Sequence, residues 1–126
     1  MLLFCFVDAY AQNGGKAEPE RVKFAKGKTS ASVGGRVKGD EQAEYVFTAR
    51  AGQTVSVKIT SIQDCCASFR ILDDAMPSGF ITEYPVNREY SFNAPYTGDY
   101  QIWVTYKPLP NGRSGAAKYK LTLSIK

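Results

Sequence analysis

Apolar and polar residues alternate one by one through most of this chain, and that period of two admits strands and almost nothing else. In 54–60, Val55, Val57 and Ile59 point one way while Ser56, Lys58 and Thr60 point the other. In 118–125 the same division separates Tyr119, Leu121, Leu123 and Ile125 from Lys118, Lys120, Thr122 and Ser124. Further segments at 21–24, 30–37, 44–49, 67–72, 89–93 and 100–106 bring the expectation to about eight short strands. Turn residues divide them, including Gly27-Lys28, Lys38-Gly39-Asp40, Ala51-Gly52-Gln53 and Thr97-Gly98-Asp99. Strands with one apolar and one polar face bury themselves by pairing two sheets. The expected fold is therefore all-β, a single antiparallel β-sandwich of jelly-roll-like form spanning 21–126. No stretch longer than a turn carries helical periodicity, and no internal repeat is visible.

The chain has 126 residues, enough for one domain with a core of its own. Hydrophobic residues make up 44% and charged residues 22%, which places it among folded domains and away from disorder. The absence of His removes the Ser-His-Asp and Cys-His nucleophile arrangements and every His-ligated metal site. A net charge of +4 is mild, and the cations are scattered along the chain, so nucleic acid is not an expected partner. Acidic residues occur as Asp40-Glu41, Asp64 and Asp73-Asp74, without calcium-loop spacing, and read as turn residues. No cofactor, no metal and no catalytic residue is expected, and the chain reads as a non-enzyme.

The first residues point to export. Leu2 to Val7 is an apolar run, and Ala9-Tyr10-Ala11 has the small-x-small form of a signal-peptidase site. Segment 1–11 reads as a secretory signal, truncated or with its true start upstream of Met1, and 12–20 reads as a flexible linker. The expected localisation is periplasmic or secreted. No segment is apolar over the ~18 residues that span a bilayer. Removal of Cys5 would leave only Cys65 and Cys66, whose adjacency rules out an ordinary bridge across the fold.

Two places stand out as binding features. Trp103 is the only Trp and, by alternation, faces away from Ile102 and Val104; it is either exposed, as a stacking or partner surface, or covered by the long 73–88 loop. The 107–117 loop carries Lys107, Pro108, Pro110 and Arg113; its prolines lower the entropy lost on docking, and a protruding Arg can grip a carboxylate in two bonds.

Several runs resemble the family of periplasmic inhibitors of g-type lysozyme. They are Val22-Lys23-Phe24-Ala25-Lys26-Gly27-Lys28-Thr29, Val37-Lys38-Gly39, Tyr45-Val46-Phe47, and Ala49-Arg50-Ala51-Gly52-Gln53-Thr54-Val55-Ser56-Val57. Near the end come Tyr96-Thr97-Gly98-Asp99-Tyr100-Gln101-Ile102-Trp103-Val104 and Lys118-Tyr119-Lys120-Leu121-Thr122-Leu123-Ser124-Ile125. The A-x-A-G-Q and T-G-D-Y pieces also resemble the bacterial pre-peptidase C-terminal domain, another β-sandwich. The resemblance covers roughly residues 21–126, and is weak over 61–88. It implies a non-catalytic protein whose loops plug the acidic substrate cleft of a g-type lysozyme or similar peptidoglycan hydrolase, with a cation set against the catalytic carboxylate. The family places a Tyr after the Lys-Gly turn and two Arg, four residues apart, in the last hairpin loop. Here those positions are Asp40, Pro108 and Gly112, with Lys107 and Arg113 each one residue away, and Trp103 stands where an Arg is common. The partner-binding set expected here is Lys107, Arg113, Trp103, Asp40 and Glu41. The alternative is a carbohydrate or cell-wall binding module of pre-peptidase C-terminal type, using Trp103 or Tyr106 as a platform for a glycan.

Overall fold

The alternating segments fold as strands throughout. The computed structural model describes residues 19–39, 41–61, 67–73, 81–82, 85–106 and 116–126. Among them are β1 (Glu20–Arg21), β2 (Ser30–Lys38), β3 (Gln42–Ala49), β4 (Thr54–Ser61), β5 (Ala67–Asp73), β6 (Glu89–Asn93), β7 (Gly98–Tyr106) and β8 (Ala116–Ile125). They form two four-stranded sheets, ordered β1-β3-β7-β5 and β2-β8-β4-β6. Odd-numbered strands make one sheet and even-numbered strands the other, so the chain changes sheet at every connection from β1 to β8. The two sheets are thus sewn together at both ends. The segments 1–18, 62–66 and 107–115, with Cys5, Cys65 and Cys66, lie outside the described residues.

Side chains meet between the layers as the alternation requires. Phe47, Phe69, Ile71, Tyr100, Ile102 and Val104 come from one sheet, and Val55, Val57, Tyr119, Leu121 and Leu123 from the other, all essentially free of solvent. Each such side chain stabilises the fold by roughly 1.5–3 kcal/mol relative to exposure. Tyr45 and Tyr119 face each other across the layers with their phenolic oxygens 2.5 Å apart, so one O–H donates to the other inside the core. Gly35 makes room for that pair: a Cβ there would stand 2.7 Å from Tyr119 Cζ and 3.1 Å from Tyr45 Oη.

Three details differ from the sequence expectation. The sheets are not wholly antiparallel, because β1 runs parallel to β3, with Glu20 opposite Tyr45 and Arg21 opposite Val46. The ladder there is only two residues long and belongs to 20–21 rather than 21–24; Val22 adds one backbone bond to Val46 O (2.9 Å) before the chain leaves. Asp73, read as a loop carboxylate, ends β5 opposite Tyr100 and is 2% exposed. Part of the 73–88 segment is not a free loop either. Ile81 N–H donates to Ile71 O, Thr82 Oγ1 accepts from Ile71 N–H, and Phe69 and Val86 exchange both backbone bonds. This return covers the β5 edge, which would otherwise offer unpaired backbone groups.

The A-x-A-G-Q and T-G-D-Y runs meet at the end of the sandwich where β3, β6 and β7 turn. Gly52 takes φ +90°, a conformation that favours glycine, and its N–H donates to Ala94 O. Ala51 N–H donates to Thr97 Oγ1 (2.9 Å), joining one turn to the other. Tyr100 Oη donates to Tyr96 O (2.6 Å), four residues back, and its ring stacks between Phe47 and Tyr96. These runs therefore act as a structural lock, which explains why they mark the fold more than an activity.

Candidate binding end of the sandwich

Strand register decides which segments share an end. Lys38, the last residue of β2, pairs with Ala116, the first of β8. Gln42, the first residue of β3, pairs with Thr105, next to the last of β7. The 39–41 turn and the two ends that bracket 107–115 therefore leave the sandwich side by side. Ser61, closing β4, pairs with Tyr119, and Ala67, opening β5, pairs with Tyr106. The ends that bracket 62–66 are at the same pole. The lock formed by the 50–53 and 94–97 turns occupies the opposite pole, so the two poles divide structure from candidate function.

Of the expected binding residues, Lys107, Arg113 and Asp40 lie outside the described residues, as do Pro108 and Gly112. Glu41 and Trp103 are described. Glu41 closes its turn from both sides: its N–H donates to Lys38 O (2.9 Å), and its Oε1 accepts from Lys38 N–H (3.2 Å). Gly39 takes φ +59° in the same turn, which suits glycine. The carboxylate thus ties Glu41 back to Lys38.

Trp103 turns outward, as alternation demands, while Ile102 and Val104 are fully buried. It is half-buried, and its indole N–H donates to Gln101 Oε1 (2.8 Å). Across the ladders it lies between Glu44 on β3 and Arg70 on β5. Glu44 Oε2 accepts from Gln42 Nε2 (2.7 Å), and Arg70 donates to Thr82 O (3.2 Å). Trp103 therefore sits in a polar row two pairs in from the candidate binding pole, continuous with it along β7 but held by its own neighbours.

Register also gathers residues that linear reading leaves scattered. Arg36 on β2 lies opposite Lys118 on β8, Lys120 is two residues along β8, and Lys58 on β4 is diagonal to Lys120. All four are exposed on the outer face of the second sheet. Nothing in the sequence announces the group, because no pattern within one strand encodes which strand lies beside it.

The ionisable groups with shifted affinity are structural. Burial pushes the phenols of Tyr45, Tyr100 and Tyr119 above the ordinary tyrosine range. For Tyr119 the nearby Tyr45 adds to the effect, and for Tyr100 the Asp73 charge does. The bond from Thr48 and then that from Arg21 lower the carboxyl of Asp99. Among the described residues no three of His, Cys, Asp and Glu come together as a metal site, and no helix is long and apolar enough to cross a membrane.

Comparison with known proteins agrees with the fold. No family model matches the chain. The inhibitor of g-type lysozyme of Escherichia coli (strain K12) is 30% identical over 107 residues, covering 83% of this chain and 79% of that protein. The crystal structure of the periplasmic inhibitor of g-type lysozyme from Aeromonas hydrophila superposes with a TM-score of 0.72 at 28% identity, covering 86% of this chain and 96% of that one. Its Salmonella Typhimurium counterpart gives 0.68 at 27%, over 88% and 100%. The pre-peptidase C-terminal domain of a Bacillus anthracis collagenase gives 0.62 at 18% identity, over 86% and 95%, a likeness of fold.

Proposed function

This chain belongs to the family of inhibitors of g-type lysozyme, and we propose that it is a periplasmic, non-catalytic protein that blocks such a lysozyme by occupying its substrate cleft. The observation that carries the reading is the 30% identity over 107 residues, extending through both sheets. Residues 107–115 enter the cleft, and the 39–41 turn packs beside them. Lys107 and Arg113 set cations against the acidic groups that the enzyme uses, and Glu41 keeps the neighbouring turn in shape. Trp103 lines the flank of the contact. Inhibition is steric and electrostatic, with no covalent step.

The departures from the family pattern make the reading specific. With Pro108 and Gly112 at the positions of the family's two Arg, the positive charge of the loop rests on Lys107 and Arg113. Replacing both with Glu should weaken inhibition of a g-type lysozyme by at least about tenfold, more than ~1 kcal/mol, and flatten its salt dependence. Inhibition unchanged in Lys107→Glu/Arg113→Glu would move the contact to another surface.

A further inference from the structure

The outer face of the β2-β8-β4 sheet carries a line of cations that the lysozyme reading does not use. Arg36 and Lys118 stand directly opposite each other, a placement that repels and that a sheet normally avoids. Lys120 continues the line two residues along β8, facing Gly34 on one side and Thr60 on the other. Lys58 extends it diagonally onto β4 and meets Glu89 across the ladder at the far edge. The steps are about 5 Å across a direct pair and about 7 Å along a strand or on the diagonal. Arg36, Lys118 and Lys120 make no ion pair with any described residue. Glu89 is the one acidic residue among the described strand positions that face outward on this sheet.

From this line we infer that the sheet face binds a linear anionic glycan, a sugar polymer carrying carboxylate, sulfate or phosphate groups at regular intervals. Charge complementarity supplies the attraction, and the single-file arrangement matches a chain better than a globular partner. The positions beside the line are small and hydroxylated: Ser32 and Thr122 lie within 3.2 Å of each other, and Ser56 and Ser91 within 2.7 Å. They let a polymer approach closely and offer hydrogen bonds to sugar hydroxyls. The aromatic residues of this sheet, including Tyr90, Phe92 and Tyr119, alternate to the inner side. The face therefore lacks, among its described residues, the apolar anchors of a tight protein interface, the wedges that enter a bilayer, and the stacking platforms of a single-strand nucleic-acid site. Binding of this kind is weak, sensitive to salt and independent of the loops at the binding pole.

Heparin, a linear sulfated glycan, is the probe. Its affinity for the full chain is measured over a salt series beside two triple variants that lose the same charge. One is Arg36→Ser/Lys118→Ser/Lys120→Ser; the other is Lys23→Ser/Lys26→Ser/Lys28→Ser, on exposed positions outside the strands of this sheet. The expected result is a loss of about tenfold or more in the first and under about twofold in the second. Equal losses would reduce the effect to net charge and overturn the site, as would no binding by the unmodified chain. Phosphatidylglycerol vesicles and single-stranded DNA are tested in parallel; tighter binding to either, lost in the same variant, would overturn the glycan assignment. If the triple variant does not fold, Lys118→Thr and Lys120→Thr alone carry the comparison, with losses of a few fold expected. Lysozyme inhibition by the same variants is expected to be unchanged, so failure here is separable from failure of the inhibitory reading.

Discussion

Gly35 and the two phenols it shelters show how a single position governs this core. The missing Cβ is what allows Tyr45 and Tyr119 to reach each other, so Gly35→Ala should cost about 1–3 kcal/mol in urea unfolding. Gly34→Ala is the internal control: its nearest contact would be Tyr119 O at 3.6 Å, an ordinary separation, and stability should hardly change. The phenols also set the alkaline limit. Their folded affinities lie above the unfolded value of 10.0. Below that pH both states keep the protons and the stabilisation is complete. As the pH rises past it, the unfolded chain releases protons that the native chain retains, so stability falls with pH and continues to fall toward the folded values. The Tyr45→Phe/Tyr119→Phe protein should show a shallower decline in stability above about pH 10, measured by denaturant titration at several pH values. An unchanged slope would contradict the buried pair. Tyr119→Phe alone should be the less stable choice, because it leaves the Tyr45 hydroxyl buried without its partner.

At the scale of elements, the strands were legible because burial on one face leaves a period of two in the sequence, as in β4, β7 and β8. What alternation does not contain is the neighbour of each strand. The parallel pairing of β1 has no pattern of its own; it is two residues long and held partly from outside by side chains. Arg21 Nη2 donates to Asp99 Oδ2 (3.0 Å), and Thr48 Oγ1 donates to Asp99 Oδ1 (2.6 Å). These groups are well exposed, so Asp99→Asn should lower global stability by less than about 1 kcal/mol. It should nonetheless speed amide exchange at Val22, whose bond to Val46 is the last of that ladder. The same blindness to neighbours hid the Arg36, Lys118 and Lys120 line, and it left the grouping of 39–41 with 107–115 to family resemblance alone. Trp103 was legible in direction but not in its cross-strand surroundings, since Glu44 and Arg70 reach it through pairing, whereas Gln101 is its neighbour two residues back on the same strand.

At the scale of the molecule, one pole is built to hold and the other to present. The 50–53 and 94–97 turns interlock through Ala51, Thr97 and Tyr100, and the strand ends that bracket position 40 and 107–115 lie at the far end of the sandwich. Family membership makes a g-type lysozyme the expected partner, and the proposed contact sets it against that end through Lys107 and Arg113, each one residue from a position of the family's Arg pair. The direct test is lysis of bacterial cells by a g-type lysozyme with increasing amounts of residues 12–126, beside a c-type lysozyme as control. Inhibition that saturates at one equivalent and spares the c-type enzyme is the predicted result. Undiminished lysis at micromolar protein would mean that the sandwich has been kept for another partner.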